Sequence, residues 1–341
     1  MSSTTMKFGK ICIGIAFYLA MFTQVCLAIE EVKVAQFGKE KFLLYLPLYL
    51  AIERGYFAEN GINIELIFAG NDDQVFATVA GGSADFGVGD PVFTAIAREK
   101  GFKAKTVAMM ISKLGITGFT NLGRIKEIAS PEDLANLRIS SLPKPSTTFT
   151  LLDEIRRNNH KLKDTMQIVE ASMGAHVALL ESGEVEIATE LEPTVSALEA
   201  NGYRVVLNLN RYIDPQVITG LMVTEDTIAK KPEIVQGMVK ALEKALWTIS
   251  NSQVEASTSA QKIFSDLPPE VVDRAVARMS QNQVYPTTTV IPDSMWQRTL
   301  KTRLDSGQLK APQATELSVD NRFALEAQKR VLVKSVEAVR K

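Results

Sequence analysis

The chain writes one short pattern twice. ATVAGGSADFGVGDP runs from Ala77 to Pro91, and ALLESGEVEIATELEP from Ala178 to Pro193. In each, a glycine stands five positions after the first alanine (Gly82, Gly183) and an acid eight positions after it (Asp85, Glu186). An apolar residue follows (Phe86, Ile187), and both copies close on acid–proline, Asp90-Pro91 and Glu192-Pro193. Each reads as a helix stopped by glycine, a buried strand opened by an acid, and the start of the next helix. The copies begin 101 residues apart. That separation is too long for a stacked repeat and suits two similar α/β lobes.

Around the copies, strand and helix patterns alternate. VKVAQF, INIELIF, ADFGVG and KAKTVAMMI read as strands within residues 32–112, INIELIF as a buried one. LPLYLAIERG, NDDQVFATVAGG and DPVFTAIAREKG read as helices, the last with Asp90 as N-cap and Pro91 at its first position. The alternation restarts after SPEDLAN, with strands LRISSL, TMQIVEA, VEIATEL and YRVVLNL and helices PSTTFTLLDEIRRN, GAHVALLESG and EPTVSALEANG. Such alternation gives mainly parallel sheets with helices on both faces. PQVITGLMVT can return the chain to the first lobe; beyond about Thr224 it is mostly helical, and VLVKSVEAVRK reads as a frayed end. The expected organisation is a discontinuous first lobe, residues 29–112 plus 221–341, around an inserted second lobe, 113–220.

With 341 residues, 46% hydrophobic and a net charge of −1, the chain can bury two ordinary cores and has no basic stripe for nucleic acid. Residues 1–28 carry a different signal. Lys7 and Lys10 precede ICIGIAFYLAMF, and Cys26-x-Ala28 follows. The apolar run falls short of the roughly 20 residues a bilayer needs, so it reads as a secretory leader cleaved after Ala28. A lipid anchor on Cys26 would need small residues where Gln24-Val25 stand. Cleavage removes Cys12 and Cys26, the only cysteines, and leaves 36 basic against 39 acidic residues. The exported chain then has no thiol for a disulfide or a nucleophile.

In open α/β sheets ligands sit beyond the strands' carboxyl ends, where helix N-termini offer free N–H groups and a positive dipole. Those turns are FGKEKF (37–42), AGNDD (69–73), GDP (89–91), PKPSTT (143–148), ASMGA (171–175) and TELEP (189–193). Ser146, Thr147 and Thr148 place three hydroxyls at one helix start, although an N-cap alone accounts for such residues. Lys39, Lys41 and Lys144 stand near the mouth as anion partners or as solvated loop lysines. Phe37, Tyr45 and Phe149 can wall a ligand or fill a core. The two histidines, His160 and His176, are too few for a metal site, and His176 reads as a helix-surface residue. No Gly-x-Ser-x-Gly, P-loop or dinucleotide fingerprint occurs. No catalytic residue, metal or cofactor is expected.

YLPLYLAIERGYFAENGINIELIFAG, GGSADFGVGDP, SPEDLANLRISSLPKPSTTFTLL and ALLESGEVEIATELEPTVSALEANG together resemble the solute-binding proteins of ABC importers. The similar branch handles nitrate, taurine, aliphatic sulfonates and thiamine-precursor pyrimidines, and the resemblance covers about residues 32–250. It implies a type II periplasmic binding-protein fold: two α/β lobes, each a mainly parallel sheet, joined by two crossing strands and closing on ligand like a hinge. It implies a periplasmic monomer that serves the membrane subunits of an ABC permease. Carried onto this sequence, the ligand contacts fall near Gly70-Asn71, Gly89-Asp90, Ser146-Thr147-Thr148 and Glu190 to Glu192, with Phe37 and Lys39 beside them. Asp90 departs from the small polar residue that taurine and sulfonate binders tend to carry there; it suits an amine or ring N–H, or simply caps a helix. The expected ligand is a small organic anion such as a sulfonate, taurine, nitrate or a carboxylate, with an aminopyrimidine as the alternative. A precursor-synthesis enzyme on this fold is the remaining reading, but those enzymes need reactive His and Cys.

Overall fold

The computed structural model describes residues 29–339, with side chains through Val331; the expected leader and both cysteines lie outside the described residues. The chain opens with β1 (Glu30–Phe37), α1 (Leu46–Glu53), β2 (Ile62–Ala69), α2 (Asp72–Ala80), β3 (Phe86–Gly89), α3 (Val92–Arg98) and β4 (Ala104–Ile111). Next come β5 (Ile116–Thr120), β6 (Arg138–Ser141), α4 (Thr147–Asn158), β7 (Gln167–Glu170), α5 (His176–Glu181), β8 (Ala188–Leu191), α6 (Thr194–Ala200) and β9 (Arg204–Asn208). β10 (Thr219–Thr224) leads into the helices α7 (Glu225–Lys230), α8 (Pro232–Asn251), α9 (Gln253–Ile263), α10 (Pro269–Gln281), α11 (Asp293–Asp305), α12 (Thr315–Ser318) and α13 (Arg322–Val339).

The first sheet has the order β2-β1-β3-β10-β4, with β1 parallel to both β2 and β3 and β10 antiparallel to β3 and β4. In the second lobe β8-β5-β9 form an antiparallel set and β6-β7 a parallel pair, joined by a bridge between Ile139 and Ile187. The second lobe therefore repeats the first strand for strand. β6, β7 and β8 answer β1, β2 and β3, while β5 takes the place of β10. Each lobe receives its antiparallel strand from a crossing segment. The crossings touch each other at the hinge, where Gln216 donates its N–H to Ser112 (3.0 Å) and Ile218 donates to Ile111 (3.0 Å).

Strand alternation feeds two cores. On β10, Leu221 and Val223 face the larger core while Met222 faces the other. The small residues of FGVG let α2 lie close on β3: a Cβ at Gly87 would stand 3.0 Å from the Val79 side chain. α8 packs on α1, α9 and α13 and closes the opposite face. INIELIF, read as buried, is instead the sheet's edge, and Phe68 on β2 is 48% exposed. α13 runs as one helix from Arg322 to Val339.

The duplicated pattern has one job in both lobes. Gly82 and Gly183 each take φ 75°, the left-handed turn that stops α2 and α5. The acid then reaches sideways. A carboxylate oxygen of Asp85 accepts the Lys33 N–H (2.9 Å) while the Asp85 N–H donates to Lys33 O (2.9 Å). Glu186 does the same to Arg138, accepting its N–H (2.9 Å) and donating to its carbonyl (2.9 Å). Each acid pins its strand to the neighbouring parallel strand, β1 or β6, and Phe86 and Ile187 enter the core fully buried.

Candidate functional site

The lobes face each other across a chamber of about 310 Å³. The first lobe contributes Phe37 from the end of β1, Asp72 and Asp73 from the first turn of α2, and Phe93 from α3. The second contributes Leu142, Pro145 and Ser146 before α4, and Ser172 and Met173 before α5. A smaller recess of about 50 Å³ continues inward along Tyr45, Asp72, Asp90, Thr147, Thr148 and Thr219. One wall is acidic and aromatic, the other apolar with small hydroxyls. The lining of both spaces contains no lysine, arginine or histidine.

Backbone geometry aims the acids. Asn71 caps α2 in a box with Gln74, whose Oε1 accepts the Asn71 N–H (2.9 Å). Gly70 leaves the room for this, because a Cβ there would overlap Gln74 Oε1 at 1.5 Å. Gly89 does the same for Asp72: a Cβ there would sit 2.8 Å from Asp72 Oδ1, which accepts the Asp90 N–H at 3.1 Å. Burial, and then the neighbouring Asp90, raise the Asp72 carboxyl to about 7. Burial, with Asp72 adding to it, also raises the Tyr45 phenol, which stays neutral.

Two of the helix starts beside the chamber, those of α2 and α4, are already occupied, whereas the start of α5 carries neither a side-chain cap nor an acid. The first turn of α2 already carries Asp72 and Asp73 against its dipole. At α4, Ser146 Oγ accepts the Phe149 N–H (3.2 Å) and donates to Leu142 O (3.0 Å). Thr147 Oγ1 donates to Asp90 Oδ2 at 2.5 Å.

Residues 44–256 match the family model described as NMT1/THI5 like. The chain belongs to the NMT1/THI5-like family. Within curated relatives, the putative binding protein YtlA of Bacillus subtilis is 23% identical over 318 residues, covering 89% of this chain and 92% of YtlA. A pyrimidine phosphate synthase of Saccharomyces cerevisiae, THI11, is 28% identical over 94 residues, which cover 28% of this chain and 26% of that enzyme. Among solved structures, the periplasmic nitrate-binding protein NrtA of Synechocystis PCC 6803 aligns with a TM-score of 0.72 at 13% identity, covering 89% of each chain. The alkanesulfonate-binding protein SsuA of Xanthomonas axonopodis pv. citri, bound to MOPS, aligns at 0.67 and 17% identity, covering 85% of this chain and 98% of SsuA. The chain's fold is thus the two-lobed type II architecture of periplasmic binding proteins.

Of the residues expected at the family's site, Phe37, Gly70, Asn71 and Ser146 line the chamber, and Thr147, Thr148 and Asp90 line the inner recess. Gly89 lies behind Asp72. Lys39 is exposed and outside the lining, and Lys144 stacks over Phe149 (4.5 Å) beside Glu170 (3.9 Å). Glu190 is buried but opens onto an adjoining groove that shares Glu40 and Met173 with the chamber and adds Lys41, Phe264 and Asp266; there burial raises it to about 7. Glu192 is paired with Arg278 and with Ser196 (3.1 Å). His176, expected on a helix surface, is 1% exposed, its Nδ1 2.9 Å from Ser140 Oγ; burial pushes it down to about 4. Sequence reasoning passed over Asp72, Asp73, Phe93 and Met173. The acids were visible in AGNDD, but nothing local marks which residues of a turn face a cleft.

Proposed function

We propose that this protein is the extracytoplasmic solute-binding component of an ABC importer. It captures a small solute between its lobes, closes over it and delivers it to the permease. Its solute carries N–H donors on a flat, partly apolar body, as an aminopyrimidine does, rather than a bare sulfonate, nitrate or carboxylate. The observation that carries this reading is the chamber itself. Its charged lining is Asp72, Asp73 and Glu40, with no cation to meet an anion. A chamber of about 310 Å³ falls in the range of small-molecule sites. Phe37 and Phe93 offer faces for a ring, and Asp72 Oδ2 an acceptor for its N–H. The leader-like residues 1–28 support export, and among the described residues no helix is long and apolar enough to cross a membrane.

A thermal-shift and calorimetric panel tests the solute class, using 4-aminopyrimidines, taurine, an alkanesulfonate and nitrate. A ligand present at 100 times its dissociation constant adds about 2.7 kcal/mol to stability, a clear rise in melting temperature. Aminopyrimidines are expected to give it, and Asp72→Asn to weaken them about tenfold or more through loss of a charge-assisted hydrogen bond. Saturable binding of taurine or nitrate, indifferent to Asp72→Asn, would replace this reading with the anion one.

The partial match to the synthase supports a second reading, turnover of such a ring. The lining offers carboxylates and hydroxyls but no histidine, cysteine or lysine as nucleophile. Chromatography of a bound aminopyrimidine after long incubation is expected to return it unchanged; a new product would favour the enzyme.

A further inference from the structure

Two arginines beyond residue 256, where the family match ends, each seek out one acid–proline corner of the duplicated pattern. Arg278 on α10 pairs with Glu192 and Glu199 of the second lobe. Arg303 on α11 pairs with Asp90 of the first, and both partners are almost wholly buried, at 3% and 4% exposure. Arg303 also contacts the second lobe, beside Gln216 and Val217 of the segment that leads into β10. Its Nη1 donates to Pro145 O (2.8 Å), Thr150 Oγ1 (2.9 Å) and Gln308 Oε1 (2.6 Å), and its Nη2 to Thr147 Oγ1 (2.9 Å). The Asp90 carboxylate is saturated in turn, accepting from Thr147 Oγ1 and from the Val92 N–H (3.0 Å) as well.

We infer that Arg303 is a closing latch: a positioning residue that sets how readily the lobes come together without touching the solute. It lines neither the chamber nor the recess. Its first-lobe partner sits on the β3–α3 turn, and its second-lobe partners on and just before the first turn of α4. Rotation about the segments between β4 and β5 and between β9 and β10 carries these turns apart. α11 touches both α3 and α4, so whichever lobe it follows, Arg303 loses one set of partners on opening. A planar guanidinium can serve three second-lobe oxygens and one carboxylate at once; an ammonium cannot. Hydrogen bonds to a charged group are stronger than neutral ones, enough to shift a two-state equilibrium between open and closed lobes about tenfold. Asp90 on this account is spent on closure, and its carboxylate does not read the solute.

The test measures the lobe-to-lobe distance without solute, so its failure is separate from any failure of the capture reading. Spin labels go on cysteines replacing Ala77 and Ala178, the matching exposed first residues of the two copies, with Cys12 and Cys26 changed to Ser. Pulsed dipolar spectroscopy is expected to show the longer-distance population rising about tenfold relative to the shorter in Arg303→Met. Arg303→Lys should fall between Met and wild type. Thr150→Val removes one second-lobe acceptor, leaves the Asp90 ion pair and keeps the fold testable should Arg303→Met not fold; it should shift the population in the same direction by a smaller factor. Distance distributions that match wild type in Thr150→Val and Arg303→Lys, with only the melting temperature lowered, would make Arg303 a static packing residue and overturn the latch.

Discussion

Asp72 holds a carboxyl raised to about 7 from its ordinary 3.8, by burial first and then by Asp90. Such an acid binds more protons folded than unfolded between those two values, so it costs stability progressively as pH climbs through that window. Asp72→Asn keeps an oxygen for the Asp90 N–H and cannot ionise. The variant is expected to melt above wild type at pH 8 and to lose that advantage by pH 4.5. Thermal denaturation at several pH values checks it, and a difference that stays constant with pH would mean Asp72 does not titrate in this range. His176, held at about 4 by burial, acts the other way between there and 6.5, which is why the variant is compared with wild type at each pH. Residue roles were the least legible part of the sequence. Asp90, expected as the N-cap, sits one residue before it: Pro91 is the N-cap of α3, and Asp90 accepts the N–H of Val92, the first helical residue. Its main partner, however, lies 213 residues away, and no local pattern carries that.

Elements were far more legible, because strand and helix periods are local properties of the chain. The duplicated pattern announced α2–β3–α3 and α5–β8–α6, and the acids at its eighth step are the strand pins. Their removal tests the pattern's purpose. Glu186→Ala leaves the Arg138 N–H and its half-buried guanidinium without the carboxylate, a loss of about 1–3 kcal/mol. Asp85→Ala should cost less, since its bond to Lys33 lies in exposed surroundings. Urea unfolding of both variants decides the order, and equal, negligible losses would reduce the shared acid to coincidence. β5 is the element the sequence concealed. ITGFT is short and interrupted by Gly118, a poor strand former on its face. Glycine is there because β9 and the residue just before β8 crowd it: a Cβ would stand 2.7 Å from Leu207 Cβ and 2.9 Å from Ile187 Cγ2. Gly118→Ala is accordingly expected to cost about 1–3 kcal/mol by overpacking, measured in the same titration; a loss under about 0.5 kcal/mol would show that these neighbours yield.

At the scale of the whole molecule, the exchange of antiparallel strands makes the lobes unequal as folding units. All five strands of the second lobe, β5 to β9, lie within one continuous stretch, Ile116 to Asn208. The first lobe cannot finish that way, because β10 enters the middle of its sheet, between β3 and β4. Until residues 219–224 arrive, β3 and β4 present unpaired edges, and the helices from α8 onward have no completed sheet to cover. Bringing β10 to β3 closes a longer loop than any pairing in the second lobe, and loop closure must be met before the contacts repay it. The expected order is therefore second lobe first. In pulse-labelled hydrogen exchange during refolding, amides of β5, β8 and β9 should gain protection before those paired between β10 and β3 or β4. Simultaneous protection of both sheets would mean that the interlobe contacts of Arg278 and Arg303 couple the lobes into one unit already in the transition state. Protection of the first sheet ahead of the second would refute the ordering, since it would require the sheet to form around a strand not yet in place.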